Sequence, residues 1–574
     1  MPDLRETELL NQIKKSRGDT NAARRPGLRL KSLSQRFVVA TSQSPLRVVY
    51  LAIYRWHVSY AVRMLRAFPG LHSIYVTRSM AIQQIQPGVS DIDLSIYGDW
   101  TEEQLAPVRA AVQRLSRWSP LFDRNLAQST QTLNEAQTLY ATDYYFRHRL
   151  DEGRTEWKLL YGHDLFALLP PRDVGRAAGG YYMDLRLWWS NFIKTAFAFG
   201  PMADDEVFRI SIPYKVAAHL LNAQNVLAGG PPQSSRRDIM QAALQTRDGA
   251  QRQFLERLVQ SAATGHRGFA GDILEESLPF LLETFEAIHA RIRATSAFGL
   301  GSTGGAVRID GSATELLVSP SARSYAQQVQ ELVKSTWTGY RSSYLISSMS
   351  FFNLDDLVLL LEVDAGRLPT VAQIRQLCRY ALDHAGSLPQ RVALFLLLPE
   401  GAYQLELVSS IEQWHHTLCP SANPEVFAFL DRPEFLLDGE PRPSAVAPVW
   451  SRFANDLVDE EISIRRAALG KIAATGNIAS LDLLRNLWRH LQLEIVQRSA
   501  REGVAILPMT VAAVERNLDR LGIGQNSIAQ GSIFARLREA YESEIQGRAV
   551  DIRPLLPELM GLFAAFSAQP PAQG

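Results

Sequence analysis

Gly88-Val89-Ser90-Asp91-Ile92-Asp93-Leu94 is the stretch on which the reading of this chain turns. The run from Ile92 to Tyr97 alternates as a β-strand does, and in a strand residues two apart share a face. Asp91 and Asp93 therefore emerge together, with Ser95 and Tyr97 beyond them, while Ile92, Leu94 and Ile96 turn toward a core. Two carboxylates a few ångströms apart repel unless a cation sits between them. Mg²⁺, or Mn²⁺ in its place, is the fitting cation, because it is held by one or two carboxylates together with substrate phosphates.

The flanks supply a setting. Upstream, Ile74–Thr77 reads as a strand, and Ser79–Gln86 as two helical turns ended by Pro87-Gly88. The N–H groups at that helix start, with the Ser79 hydroxyl and Arg78, can hold a phosphate chain. Farther out, Leu46–Phe68 is an amphipathic helix closed by Pro69-Gly70. Downstream, Thr101–Trp118 is a helix opening on an N-cap threonine with Glu102 and Glu103 in its first turn, and Leu121–Leu126 is a candidate third strand. Strands separated by helices over about fifty residues predict a small mixed α/β palm.

Arg78-Ser79 followed by Gly88 and Ser90-Asp91-Ile92-Asp93-Leu94 resembles the DNA polymerase β-like nucleotidyltransferase superfamily, in particular bacterial members similar to aminoglycoside and minimal nucleotidyltransferases. That pattern runs strand, Gly-Ser turn, short helix, Ser-Asp-x-Asp-apolar on the next strand, then a third acid on a later strand. Here Arg78 stands where the pattern has glycine. The resemblance implies a nucleotidyltransferase that binds a nucleoside triphosphate (ATP or another NTP) with Mg²⁺, moves the NMP to an acceptor hydroxyl and releases pyrophosphate. Asp91, Asp93 and Asp123 would be the catalytic and metal-holding acids, with Glu135, Asp143 and Asp151 as rivals for the third place. Arg78, Ser79, Ser90 and Lys215 would meet the nucleotide. Leu160-Tyr161-Gly162-His163-Asp164-Leu165 is similar to the segment that closes the catalytic domain in such proteins, and Tyr181 and Arg236-Arg237 join Lys215 as candidates from the helical region that follows.

The remaining chain divides by pattern into an α/β mixed multidomain protein. A basic, partly disordered arm (1–44) precedes the catalytic domain (45–170) and a helical domain (171–297). A second α/β domain (298–430), a Pro-rich linker (431–449), a C-terminal helical domain (450–566) and a tail (567–574) follow. In the second α/β domain, Tyr344-Leu345-Ile346-Ser347-Ser348-Met349 echoes Tyr75-Val76-Thr77-Arg78-Ser79-Met80. Each is followed by Asp-Leu on a strand (Asp93-Leu94, Asp356-Leu357) and a helix opening Thr-x-x-Gln (Thr101, Thr370). A degenerate duplicate of the palm, lacking the paired acids, is one reading; chance likeness between α/β segments is the other.

Composition sets bounds. At 574 residues, with 46% hydrophobic and 21% charged residues, roughly two to four globular domains are expected. The formal net charge of +1 gives no global field to recruit nucleic acid, so an RNA end is the less favoured acceptor beside a small molecule or a protein side chain. Residues 1–36 carry nine Lys and Arg against four acids, a local bias only. Two cysteines, Cys378 and Cys419, argue against a disulfide framework and for a reducing, cytoplasmic compartment. Arg55, His57, Arg63 and Arg66 spoil Val48–Phe68 as a membrane span. Gly299–Gly304 spells G-x-G-x-x-G but follows a helix instead of opening one. His415-His416 near Cys419 lacks a fourth metal ligand, and Trp188-Trp189 reads as packing. A binding or regulatory module on the same fold, its chemistry lost at Arg78 and its protein partners met through the C-terminal domains, is the competing expectation.

Overall fold

The computed structural model describes residues 35–122, 126–171, 206–264, 276–288, 305–347, 356–397, 404–408, 417–418, 432–441, 449–450, 458–469, 480–521 and 528–561, several of these ranges with short internal gaps. Asp123, Asp143, Tyr181, Trp188, Trp189, Gly299–Gly304, His415, His416 and Cys419 lie outside the described residues. The chain divides into two compact units, Ala22–Ile288 and His289–Gly574.

In the first unit, helix α1 (Leu46–Leu65) leads into strand β1 (Leu71–Val76), a single short turn of helix α2 (Arg78–Ala81), strand β2 (Leu94–Gly98) and helix α3 (Glu102–Trp118). Strand β3 (Thr130–Thr132), helices α4 (Leu133–Thr142) and α5 (Tyr144–Glu156) and strand β4 (Lys158–Gly162) complete the sheet. The strand order is β3-β2-β1-β4, with β1 antiparallel to both neighbours and β2 parallel to β3. This is the mixed palm that the alternation of short strands and helices predicts. Ile74, Val76, Ile92, Leu94 and Ile96 pack on α1 and α3 through Val58, Leu65, Leu105 and Val112. The opposite face carries Tyr75 and Tyr97, covered by Ala136, Tyr140 and Leu150. Each of these side chains contributes about 1.5–3 kcal/mol on burial.

The third strand is not where the sequence places it. Over Leu121–Leu126 only Phe122 pairs, as an isolated parallel bridge to Ile92, and the strand proper begins at Thr130. Two helical turns over Ser79–Gln86 likewise shrink to α2, because Gln83 takes a left-handed φ of 58° that no α-helix continues. The helical region contributes α6 (Glu206–Leu227), α7 (Arg236–Thr246) and α8 (Gly249–Ala263). Ser235 caps α7 by accepting from the Asp238 N–H, and its hydroxyl also accepts from Gln84 Nε2 at 2.6 Å, tying α7 to the loop after α2.

Among the described residues the second unit begins with β5 (Gly305–Asp310), followed by α9 (Pro320–Thr336), β6 (Tyr340–Ser347), β7 (Leu357–Val363) and α10 (Val371–Ala385). Then come β8 (Val392–Leu397), β9 (Gln404–Val408), β10 (Thr417–Leu418), β11 (Leu436–Asp438) and β12 (Val449–Trp450). Helix α11 (Ser480–Arg501), strand β13 (Val504–Pro508), and helices α12 (Val511–Arg520) and α13 (Ile528–Ile545) end the described architecture. A six-stranded sheet has the order β10-β9-β8-β7-β6-β11, and a three-stranded sheet the order β12-β5-β13. All seven residues of β7 are buried, as in a strand covered on both faces. Its one acid, Glu362, accepts a 2.5 Å hydrogen bond from the Ser342 hydroxyl. Helices α11, α12 and α13 share a core of Leu484, Leu491, Val514, Leu518, Phe534 and Leu537. Cys378 is buried, and burial pushes its thiol pKa up. Among the described residues no helix is long and apolar enough to cross a membrane.

Candidate active site

Asp91 and Asp93 sit at the N-terminal end of β2, in extended chain that pairs on both sides. The Thr77 N–H donates to the Asp93 carbonyl at 3.1 Å, and the Ile92 N–H to the Leu121 carbonyl at 2.6 Å. Both contacts follow from the register that sets Val76 opposite Leu94. Asp93 is buried and Asp91 exposed. The turn before them is fixed in three ways. The Ser90 hydroxyl accepts from the Gln86 N–H at 2.9 Å, and the Tyr54 hydroxyl of α1 donates to the Ser90 carbonyl at 2.5 Å. Gly88 takes a φ of +82°, with space so tight that a Cβ would lie 2.7 Å from Val39 Cγ2. Ser90 thus shapes the turn with its side chain, whatever else its hydroxyl does.

Arg78 adopts φ +51°, the left-handed region where a side chain costs about 1–2 kcal/mol and glycine costs nothing. A glycine would adopt this conformation at no cost, and this chain holds it with an arginine. The guanidinium turns toward the acids, with Nη1 3.4 Å from Asp93 Oδ1. Ser79, next in α2, is half-buried.

From the helical region two more cations face the pair. Lys215 on α6 is half-buried, and its pKa is brought down to about 8, first by burial and then by Arg236 and Arg78, while Asp91 and Asp93 oppose the shift. Arg236, the first residue of α7, is lowered by burial and by Arg78, with Tyr214, Asp93 and Glu156 pulling the other way. Its sequence neighbour Arg237 is exposed. Two acids and three cations therefore share one electrostatic neighbourhood, which leaves an excess of positive charge suited to phosphate oxygens.

Among the rivals for the third carboxylate, Glu135 accepts from the Thr132 N–H at the start of α4 and pairs with Arg109 at 3.4 Å. Asp151 accepts from the Tyr140 hydroxyl at 2.8 Å and lies 3.6 Å from Arg154 Nε. Both are buried in framework contacts. Phe122, the residue before Asp123, is bridged to Ile92 between the two aspartates. Among the described residues no group of three or more His, Cys, Asp or Glu side chains is placed to hold a metal ion. The donors that are present, two carboxylates at one strand end, suit a hard divalent cation completed by phosphate oxygens.

Sequence reasoning passed over Glu156, the last residue of α5. Burial and the neighbouring Glu152 push its carboxyl up to about 7, against Arg149 and Arg236. Nothing in its local pattern marks it, since only the tertiary fold brings the end of α5 to the start of α7.

No family model matches the chain, and no curated protein does. Among solved structures it is similar to spectinomycin adenyltransferase AAD(9) from Enterococcus faecialis, a crystal structure with ATP and spectinomycin, at 15% identity over 40% of this chain and 97% of that one, with a TM-score of 0.27.

Proposed function

We propose that the first unit is a nucleotidyltransferase: it binds a nucleoside triphosphate and passes the nucleoside monophosphate to an acceptor hydroxyl, with release of pyrophosphate. The observation that carries this reading is the meeting of Asp91 and Asp93 with Lys215 and Arg236, four residues from three separate elements. Asp91 and Asp93, with Asp123 as the third acid, would hold Mg²⁺, which when bound neutralises phosphate charge and acidifies the acceptor hydroxyl. Lys215 and Arg236 bind the triphosphate from the opposite side, and Arg78 moves from Asp93 onto a phosphate oxygen when the nucleotide enters. In-line displacement leaves the protein mainly with positioning and charge neutralisation. The deciding experiment incubates the full chain with each labelled NTP and Mg²⁺ or Mn²⁺, alone and with candidate small-molecule, protein and RNA acceptors. Pyrophosphate release that requires Asp91 and Asp93 supports the enzyme, and its absence with every NTP and acceptor tried counts against it.

The Arg78–Asp93 contact favours a second reading, in which the guanidinium takes the cation's place and the unit binds nucleotide without turnover. Arg78→Gly separates the two. It removes the guanidinium and relieves the left-handed backbone, so the nucleotidyltransferase reading, in which Arg78 holds a phosphate oxygen, expects weaker NTP binding with turnover retained at saturating NTP. Turnover that appears only in Arg78→Gly identifies the wild-type chain as a binding module. Arg78→Ala serves as control, since it removes the same charge but keeps the strained φ.

A pH prediction follows from Lys215. Its folded pKa of about 8 lies below the ordinary 10.5, so the unfolded chain holds the proton more tightly between those values. Burial of this charge therefore costs stability below about pH 8, and the cost fades as pH rises toward 10.5. Nucleotide binding runs the opposite way, because the phosphate prefers the charged amine. NTP affinity measured by calorimetry should fall as pH rises through about 8, and Lys215→Met should flatten that profile while weakening binding roughly ten- to hundredfold. A wild-type profile that stays level across pH 8 would remove Lys215 from the nucleotide contacts.

A further inference from the structure

The two units share a plan. In the second unit the strand order β8-β7-β6-β11 has β6 antiparallel to β7 and β11, and β7 parallel to β8. In the first unit β3-β2-β1-β4 has the same directions at each step. A helix precedes the first strand in both, α1 and α9, and another joins the second strand to the third, α3 and α10. Both joining helices open on a reciprocal Thr-x-x-Gln box, in which Thr101 and Gln104, and Thr370 and Gln373, satisfy each other's backbone N–H. In this alignment Asp356, directly before β7, takes the place of Asp93, directly before β2. Two residues earlier Asp91 is matched by Leu354.

Asp356 cannot serve a metal ion as Asp93 would. Arg485 donates from Nε at 2.8 Å and approaches from Nη2 at 2.7 Å, the Tyr541 hydroxyl donates at 2.8 Å, and the Arg391 N–H donates at 2.8 Å. These donors fill the acceptor capacity of a carboxylate. Beside this closed pair lies a cavity of about 60 Å³, bordered by Leu317, Leu357, Trp488, Arg489, Met509 and the first turn of α12. At about 10–15 Å³ for each water it encloses a group of a few heavy atoms. Its charged lining is one acid against two arginines, Arg485 and Arg489. Arg489 is buried, with Nη1 held on Gln492 Oε1 at 3.1 Å. Trp488 is 7% exposed, and its indole N–H has no acceptor among the described residues. A buried donor without an acceptor costs about 1–3 kcal/mol, which an incoming oxygen would recover. The start of α12, ten residues long, adds the positive end of a helix dipole.

The geometry points to a second ligand site: the second unit is a repeat of the palm that has lost its metal acids, and its cavity beside Asp356 binds a phosphate group, free or as the end of a phosphate monoester, without a metal ion. The Arg489 cation, the indole of Trp488 and the start of α12 border the cavity beside an apolar wall, a mix that suits a small anion on an apolar body. Because the site needs no cation, it is separable from the first unit by chelation.

The test is calorimetry on the full chain carrying Asp93→Asn, in EDTA, titrated with inorganic phosphate and separately with a nucleoside monophosphate. Saturable binding is expected in at least one titration. Arg489→Met, added to that protein, should weaken it at least tenfold, and Trp488→Phe, which removes the N–H and keeps an aromatic ring, should weaken it measurably. Lys215→Met should leave it unchanged. Tighter binding of the monoester identifies a metabolite site, and equal binding a phosphate site. Absence of saturable binding, or binding that survives Arg489→Met and Trp488→Phe in chains with an unchanged melting curve, overturns the proposal. Loss of binding in Lys215→Met alone overturns it too, by assigning the ligand to the first unit. None of these outcomes depends on turnover.

Discussion

Asp93→Asn should lower NTP-dependent pyrophosphate release on the order of a thousandfold or more while the chain stays folded. The amide keeps the shape of the side chain and loses the charge that would hold a cation at the end of β2. From the sequence, two acids so close together suggest that neutralising one relieves repulsion and stabilises the fold slightly. The structure reverses that sign. Asp93 faces Arg78 at 3.4 Å and also counters the burial of Lys215 and Arg236, so the substitution removes a negative charge from beside three cations. The melting temperature should therefore hold or fall by a few degrees, with an unchanged circular dichroism spectrum. Arg78 is 38% exposed, so solvent screens much of its share. The pKa of Lys215 should also drop further below its wild-type value, since Asp93 is among the groups holding it up. Turnover at the wild-type rate in this variant would end the enzymatic reading.

Arg485→Leu should destabilise the second unit by about 3–5 kcal/mol, the cost of removing one partner from a buried ion pair. Arg485 and Asp356 are 6% and 1% exposed, and Arg485 holds the Asp356 carboxyl below the usual range against the opposing push of burial. With the guanidinium gone, Asp356 keeps only Tyr541 and the Arg391 N–H, and its folded pKa should rise toward or above 3.8. The loss should therefore be largest near neutral pH and shrink as pH falls through the acid range, where the carboxyl takes up a proton. For a unit of this size the melting temperature should drop by roughly 10 °C. Calorimetric scans at pH 7 and pH 4.5 check both the size and the direction. The double variant Arg485→Leu, Asp356→Asn should recover part of the loss, and a melting point untouched by Arg485→Leu would show that the pair carries no stability.

The palm was legible because its signals are local. Alternation in Ile92–Tyr97, the Thr101 box and the breaker Pro69-Gly70 each act within a few residues, and the strand and helices they define are found in place. What escaped depends on distance in the chain. Glu156 and Arg236 meet only after folding, because they lie 80 residues apart in the chain. β13 interrupts a run read as wholly helical for the same reason. The residue types of the candidate site can be read in the sequence, Lys215 and Arg236 among them. The electrostatics of the site cannot: the backbone demand behind Arg78 is a left-handed φ that no composition or spacing reveals. Around the Tyr344 echo the two strands pair in different registers. Tyr75 pairs with Ser95, one residue into β2, whereas Tyr344 pairs with Leu360, three residues into β7.

The parallel pairing of β5 with β13 has a consequence for synthesis of the chain. Val504 lies opposite Ala306, about 200 residues earlier, so a ribosome adding roughly 5–20 residues per second exposes β5 for some 10–40 s before its neighbour emerges. β12 pairs with it through two residues, and those emerge late in that interval. An expression product ended at the Pro-rich segment would keep that edge open for good, and its tendency to associate through β5 would be a property of the truncation, not of the protein.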